Sequence, residues 1–389
     1  MKFVRILAVL AAMTLMGVSP VLAGTIKVGA ILAVTGPAAF LGAPEAKTLE
    51  MLVADINKKG GIKGNKVELI IKDSGASPEK AISFAKQLIE EDKVFAIIGP
   101  STSGETMKIK NIAEQGKTIL LSCAAAEVIV NPVAKYVFKT PQKDSYAVVK
   151  IFDEMKKMGI SKIGVLSSNT GFGQAGKEQV EKLAPEHGIT ILVNEVYDKA
   201  ASDLTAEVTK MKAANVQALI NWSIEPAQAI VIKNARQIGL KIPIFQSHGF
   251  GNIEYVKAAG PAAEGVIFPA GRLLVADTLP KSNPQKAVLV QYKKEYEAKY
   301  KEDASTFGGH AYDALMILKK AIETAGTDRE KVRTAIENMK GFVGTGGVFN
   351  FTPQDHNGLG INSFEMLTVK NGKFVPLSTA VQKAPKKKK

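Results

Sequence analysis

Residues 162–183 read KIGVLSSNTGFGQAGKEQVEKL: an apolar run, a glycine-rich turn and a helical pattern. The turn contains G-x-G-x-x-G through Gly171, Gly173 and Gly176, and Glu195 follows about 20 residues later, which is typical of dinucleotide-binding folds. In those folds the turn follows its strand directly, whereas residues 167–170 intervene here. The glycines would equally serve a tight strand-to-helix turn and close helix packing. The pattern of the rest of the chain is needed to choose between this structural role and dinucleotide binding.

The strand–turn–helix unit recurs along the chain. Apolar strand-like runs alternate with amphipathic helices, and the pattern restarts near residue 145: TIKVGAILA (25–33), KVELIIKD (66–73), VFAIIGP (94–100), TILLSCA (118–124), TILVNEVYD (190–198) and VQALINWS (216–223). Strands that are apolar throughout and joined by helices indicate parallel sheets covered on both faces. We therefore predict an α/β protein of two doubly wound parallel-sheet lobes, closed by a hairpin over 364–377 around Asn371-Gly372.

The two ends of the chain carry separate signals. Residues 1–23 have Lys2 and Arg5, then an apolar stretch, then Val21-Leu22-Ala23, which predicts a cleaved signal peptide and export to the periplasm. The apolar stretch is shorter than the roughly 20 residues that span a bilayer. Residues 381–389, ending in four lysines, are expected to be a disordered tail.

Composition narrows the function classes. The formal net charge is +14, but only five of the 51 basic residues are arginines, so we expect no nucleic-acid binding. The single cysteine, Cys123, excludes an internal disulfide and is expected to be a small buried apolar residue. The sequence lacks a nucleophile elbow and a metal-spaced His/Cys cluster, so we expect no enzyme, no metal site and no cofactor.

Six segments, in order, resemble the type I periplasmic solute-binding proteins of ABC importers, in particular the leucine/isoleucine/valine-binding group. They are TGPAAFLGAPEAKTLEMLVADINKKGGIKG (35–64), IIGPSTSG (97–104), LLSCAAAE (120–127), FGQAGKEQV (172–180), NARQIGLKIPIFQSHGFGN (234–252) and FGGHAYDAL (307–315). The resemblance implies two interleaved lobes joined by three hinge crossings, near Thr140-Pro141, 268–270 and Phe349-Asn350. It places 24–140 plus 270–349 in the N-terminal lobe and 141–269 plus 350–380 in the C-terminal lobe.

The resemblance also identifies ligand contacts in the first lobe. Ser103, predicted to cap its helix, would hold a ligand carboxylate, with Thr102 as a weaker candidate. Ala124, Ala125 and Ala126 would present bare backbone to the ligand. Relatives often carry threonine at the position of Ala126, where its hydroxyl helps to hold an ammonium, and alanine cannot do that.

The second lobe departs further from the family pattern. Phe172 matches the family's aromatic residue in the glycine turn, and with Trp222 it would sandwich an apolar ligand body. His248, followed by Gly249, occupies the place of the glutamate that pairs with an amino acid's ammonium. Glu225 would be a substitute partner, or it caps the helix that begins near Pro226. A buried ammonium without an acidic partner is unfavourable.

Two ligands therefore stay open: a branched-chain or similar apolar amino acid, or an aromatic or other organic carboxylate without an ammonium. In either case the resemblance implies a monomer that closes around a small molecule and docks on ABC permease subunits in the inner membrane. A receptor that regulates rather than transports would share every cleft residue.

Overall fold

The computed structural model describes residues 24–381, so the predicted signal peptide and the tail after Val381 lie outside the described residues. The first of two large sheets is parallel throughout, with strand order β2-β1-β3-β4-β5. Its strands are β1 (Thr25–Leu32), β2 (Lys66–Asp73), β3 (Ala96–Ile98), β4 (Ile119–Ser122) and β5 (Val137–Lys139). Val28 of β1 pairs with Leu69 on one side and Ala96 on the other.

The second sheet repeats this design and then extends it. Five strands are parallel in the order β7-β6-β8-β9-β10, and an antiparallel hairpin adds β13 and β14 beside β10. The strands are β6 (Lys162–Ser168), β7 (Thr190–Tyr197), β8 (Ala218–Trp222), β9 (Ile244–Gln246), β10 (Ile267–Gly271), β13 (Phe364–Lys370) and β14 (Lys373–Pro376). The hairpin confirms the predicted turn, in which Asn371 and Gly372 both have positive φ.

Helices cover both sheets. They are α1 (Ala39–Lys58), α2 (Pro78–Lys86), α3 (Ser103–Gln115), α4 (Asp144–Lys157), α5 (Gly171–Leu183), α6 (Thr205–Ala213), α7 (Ala227–Gln237), α8 (Ile253–Ala259), α9 (Lys286–Tyr300), α10 (Thr306–Ala325), α11 (Arg329–Glu337) and α12 (Leu377–Val381). A two-stranded ribbon joins β11 (Phe342–Val343) to β12 (Val348–Phe349). The α/β prediction is confirmed.

One predicted helix cap is wrong. Thr102, not Ser103, caps α3: its backbone is extended and its Oγ1 accepts a hydrogen bond from the Glu105 N–H at 3.3 Å. Thr102 Oγ1 also donates to the Glu105 carboxylate at 2.6 Å. This Thr-x-x-Glu arrangement is a capping box, and it leaves Ser103 as the first residue of the helix.

The chain passes between the lobes three times. The first passage follows β5 and the second follows β10. Phe351 and Leu359 are buried in the core of the first lobe and Phe364 in that of the second, so the third passage runs between Leu359 and Phe364, later than the predicted Phe349-Asn350. The full assignment of residues to lobes stays a prediction.

The fold fixes where a ligand would sit. In each sheet the strand order reverses beside the first strand, between β1 and β3 and again between β6 and β8. Loops that leave neighbouring strand ends at such a point diverge and open a crevice. The two lobes face each other with these crevices, so the turns after β3, β4, β6, β8 and β9 meet.

Candidate ligand-binding site

A small cavity lies between the lobes. The first lobe, with the adjoining hinge residue Pro141, lines it with Leu41, Ser101, Ser103, Cys123, Ala124, Ala125, Pro141, Phe307 and His310. The second lobe lines it with Phe172, Ile224, His248 and Gly249.

Ser103 is the polar group of the first lobe that best suits a carboxylate. Its Oγ accepts the N–H of Ala126 at 3.2 Å, which fixes the side chain and leaves the hydroxyl hydrogen free to point at a ligand. The residue is buried and begins α3, where the helix N-terminus favours negative charge. Thr102 lines instead a neighbouring pocket, and its hydroxyl serves the capping box.

Two backbone N–H groups of the alanine loop after β4 (residues 124–126) already donate hydrogen bonds within the protein. The N–H of Ala124 donates to Ser122 Oγ at 3.1 Å, and that of Ala126 donates to Ser103 Oγ. Ala126 is buried behind the wall. The half-buried Ala125 lies between them and lines the cavity, so its N–H is the one placed to serve a ligand.

An aromatic group forms the wall of the second lobe. The ring of Phe172 lies 5.4 Å from His248 and 5.7 Å from Trp222, measured between centroids. Phe172 and His248 reach the cavity, but Trp222 is fully buried behind them. The predicted Phe172–Trp222 sandwich is therefore not formed. Trp222 supports the two rings that do face the ligand.

The same tryptophan explains part of the glycine motif. A Cβ at Gly176 would lie 2.0 Å from Trp222 Nε1, and one at Gly173 would lie 1.9 Å from the carbonyl oxygen of Ser168. Only glycine fits at either position, because no atom can approach so closely. The motif thus serves the packing of α5 on β6 and β8, and this packing accounts for the spacing that suggested a dinucleotide.

Glu225 is occupied by its own turn. Its carboxylate accepts hydrogen bonds from Ser223 Oγ at 2.7 Å and from the Ile224 N–H at 3.2 Å. It lines the neighbouring pocket with Thr102 rather than the cavity. Among the cavity-lining residues there is no aspartate or glutamate; Glu105 and Glu225 line the neighbouring pocket, which adjoins the cavity at Phe172 and Ile224.

Seven lining residues were not among the predicted contacts: Leu41, Ser101, Cys123, Pro141, Ile224, Phe307 and His310. Leu41 follows the turn after β1, and Ile224 follows β8, so strand-end position was a usable signal for both. Phe307 and His310 lie on α10, far along the chain. Gly308 and Gly309 allow close packing there. A Cβ at Gly308 would lie 2.3 Å from Tyr292 Oη, and a Cβ at Gly309 would lie 2.8 Å from Thr345 Oγ1.

A buried cation lies directly behind the cavity wall. Lys139 Nζ donates to the carbonyl oxygens of Ala125 and Pro141, each at 2.8 Å, and of Gln142 at 3.1 Å. Burial lowers the pKa of Lys139 and raises that of nearby Asp144. Within the described part of the chain Lys139 forms no ion pair with a carboxylate, and the negative charge of Asp144 is the main influence that opposes the lowering of its pKa.

Both cavity histidines are held neutral. Burial, and next the charge of Lys139, lower the pKa of His310 to about 3. The same two causes, with a smaller one from His310, put the pKa of His248 well below its usual range. Behind the wall lie the Lys139 ammonium and the Glu45 carboxyl, which accepts a hydrogen bond from Ser101 and whose pKa is raised well above its usual range by burial. Because burial disfavours the charged form of Glu45 and both histidines are neutral, the cavity favours an anion over a cation.

The profile of the Periplasmic binding protein family matches residues 25–373. The chain belongs to this family. It is 29% identical to the leucine-, isoleucine-, valine-, threonine- and alanine-binding protein of Pseudomonas aeruginosa over 81% of this chain and 82% of that one. Such sequence relatives of this periplasmic binding protein are named as binding proteins, not as enzymes.

Solved structures agree with the family assignment. An extracellular ligand-binding receptor of Rhodopseudomonas palustris superposes with a TM-score of 0.85 at 28% identity, covering 90% of this chain and 99% of the other. The branched-chain amino acid transporter substrate-binding protein LivJ of Streptococcus pneumoniae, in complex with isoleucine, gives a TM-score of 0.80 at 26% identity, covering 90% and 97%. Across residues 24–381 of this periplasmic binding protein, no helix is long and apolar enough to cross a bilayer.

Proposed function

We propose that this protein is the solute-binding component of an ABC importer and that it captures a small organic carboxylate between its lobes. The observation that carries the proposal is the inter-lobe cavity, which has Ser103 at the start of α3 and no acidic side chain in its wall. A carboxylate needs donors and a favourable potential, which Ser103, the helix N-terminus and Lys139 supply.

Closure follows from the shared cavity. A ligand that touches both lobes binds the closed form better than the open form, and only this difference in affinity drives the closing motion. The closed protein would then dock on permease subunits in the inner membrane, after export through the signal sequence at 1–23. Because one chain supplies both walls of the cavity, we propose that it works as a monomer.

The choice between the two ligand classes depends on whether the site can bind the ammonium group of an amino acid. Several relatives are named for leucine, isoleucine and valine, which favours a zwitterion. In this chain, however, Ala126, His248 and the occupied Glu225 provide no negative group for an ammonium, and Lys139 would repel it. A buried charge without a partner costs several kcal/mol. We therefore favour an apolar or aromatic acid that lacks an ammonium.

Matched ligands test the proposal. Protein refolded from denaturant, to remove copurified solute, is examined by thermal shift with leucine, with 4-methylpentanoate, which is leucine without its ammonium, and with benzoate. We expect an acid to raise the melting temperature and leucine to have little effect; a ligand at 100 times its Kd stabilises by about 2.7 kcal/mol. Stabilisation by leucine alone would establish the amino-acid alternative.

The transport role needs a separate experiment. Deleting the gene should abolish uptake of the radiolabelled acid that binds best in the panel, and expression of the wild-type chain should restore it. Normal uptake after the deletion would argue for a receptor that regulates instead of transporting.

A further inference from the structure

Two histidines face the cavity from opposite lobes. His248 follows β9 in the second lobe, and His310 lies in the first turns of α10 in the first lobe. Both line the cavity and each is only 7% exposed.

Three of the four ring nitrogens of these histidines have no hydrogen-bond partner in the described part of the chain. Among the described residues, no hydrogen-bond partner is found for Nδ1 and Nε2 of His248 or for Nδ1 of His310. His356, which is also buried, shows the usual alternative: its Nδ1 lies 2.9 Å from the Val137 carbonyl oxygen and its Nε2 lies 3.3 Å from Glu337. Most buried polar groups find a partner in the protein, in ordered water or in a ligand, so a ligand that enters this cavity meets three nitrogens that the protein leaves free.

The chemistry of a neutral imidazole restricts the partner. Each ring offers one N–H donor and one acceptor nitrogen. An aliphatic ligand end, such as the side chain of leucine, would leave the nitrogens of both histidines unsatisfied. A hydroxyl is the smallest group that can donate to one imidazole and accept from the other at the same time.

The remaining walls describe the body that carries the hydroxyl. They are apolar, with the aromatic rings of Phe172 and Phe307 and the aliphatic side chains of Leu41 and Ile224. Aromatic rings pack favourably against other rings, offset or edge to face, so an aromatic body matches these walls.

We propose that the ligand is a hydroxylated aromatic carboxylic acid whose hydroxyl binds between His248 and His310 while its carboxylate binds at Ser103. This inference rests on the proposed function, which supplies the carboxylate, and adds the second polar contact. His248 and His310 are then the residues that select for the hydroxyl.

Calorimetry with benzoate, 3-hydroxybenzoate and 4-hydroxybenzoate tests the inference on refolded protein. We expect at least one hydroxybenzoate to bind the wild-type protein tenfold or more tightly than benzoate, because a site built for a hydroxyl discriminates against the analogue without it. His248→Phe and His310→Phe each keep a ring but lose the nitrogens, so each should reduce this affinity ratio towards one. His187→Phe is the matched control: its ring packs 5.4 Å from Phe152, away from the cavity, and the ratio should not change.

The outcomes separate the two proposals. Equal affinities of wild-type protein for benzoate and both hydroxybenzoates would overturn the hydroxyl inference but leave the carboxylate site intact. A tenfold preference that survives in both histidine variants, folded as judged by circular dichroism, would also overturn it. Binding of leucine with no binding of any of these acids would overturn the proposed ligand class and the inference together, as would binding of none of them. If both variants fail to fold, the wild-type comparison still decides.

Discussion

Ser103 occupies the position on which the carboxylate site depends. Its Oγ is held by the Ala126 N–H and its hydroxyl hydrogen is available to a ligand. We predict that Ser103→Ala weakens binding of the best acid in the panel by about 1.5–3 kcal/mol, as expected for a hydrogen bond to a charged group. Isothermal titration calorimetry measures this directly.

Ser77 provides the control. It caps α2 in the same lobe, where its Oγ accepts the Lys80 N–H, and it does not line the cavity. Ser77→Ala should reduce the free energy of unfolding by about 1 kcal/mol and leave ligand affinity unchanged. Equal affinities of Ser103→Ala and wild-type protein would remove Ser103 from the site.

The lowered pKa of His310 predicts that the stability of the protein depends on pH. The pKa of this residue is about 3 in the folded protein, whereas the ordinary value for histidine is 6.5. Between these two pH values the unfolded chain therefore binds a proton at His310 that the folded protein does not bind. This contribution to stability is complete above about pH 6.5 and is lost as the pH falls towards 3. At pH 4 the loss amounts to about 3 kcal/mol from this residue.

His310→Phe should remove that dependence. Urea unfolding at pH 7 and pH 4 gives the change in the free energy of unfolding, and we expect the change to be smaller in the variant than in the wild-type protein. The carboxyls with raised pKa, such as Asp313 at about 7, act in the opposite sense in both proteins and cancel in the comparison. The same pH dependence in both would show that His310 titrates normally.

Residue positions at strand ends could be predicted, but side-chain direction could not. Ser103 lies at the carboxyl edge of the first sheet, and Phe172 and His248 lie at that of the second, as the alternation of strands and helices predicts. That the two edges face each other was implied by the family resemblance and not by the pattern of either sheet. Trp222 is the last residue of β8, and the sequence does not say which face of the sheet it points to. His310 was missed because a helix from a distant part of the chain carries it to the cavity.

At the scale of secondary structure, two helix starts meet between the lobes. α3 begins at Ser103 and α5 begins at Gly171, and a Cβ added to Gly171 would lie 2.7 Å from the Cα of Gly104. The two backbones are therefore in direct contact when the lobes are closed. Glycine is required here for the approach of one lobe to the other.

Gly171→Ala should therefore hinder closure. We predict weaker ligand binding, about tenfold or more, with little change in melting temperature without ligand, because the clash disappears when the lobes separate. Gly360→Ala is the control, since nothing lies within 4 Å of a Cβ at that position and its φ is −95°. Calorimetry and thermal melts of both variants test the prediction, and wild-type affinity in Gly171→Ala would contradict it.

The alternation of strands and helices could be predicted because each unit carries its own local pattern. Crossing points were harder to predict. The third passage lies after Leu359 because Phe351 and Leu359 pack in the core of the first lobe. Such tertiary packing cannot be read from the local pattern of apolar residues. The cap of α3 was also hard to predict, because Thr102 and Ser103 are adjacent and each has a hydroxyl that can cap a helix. The structure shows that Thr102 makes the capping hydrogen bond.

At the scale of the whole molecule, contacts between the lobes stabilise the closed form relative to the open form. Asn252 in the second lobe donates from Nδ2 to the carbonyl oxygen of Phe40 in the first lobe at 2.9 Å. Its Oδ1 caps α8 by accepting the Glu254 N–H at 3.0 Å. One side chain thus has two separable roles, one across the lobes and one within a lobe.

Asn252→Asp separates these roles. The aspartate keeps the capping oxygen but replaces the donor with an oxygen that repels the carbonyl of Phe40, so the closed form is destabilised while the fold is retained. We predict a larger radius of gyration by solution scattering at subsaturating ligand and an affinity lower by about tenfold. Saturating ligand should restore the compact form, because binding energy compensates for the lost contact. Asn283→Asp, in a turn where Oδ1 accepts the Gln285 N–H, is the matched control and should scatter like wild-type protein. If ligand changes the radius of gyration of neither wild-type protein nor Asn252→Asp, the lobes do not close on the ligand, and the cavity between them is not the binding site.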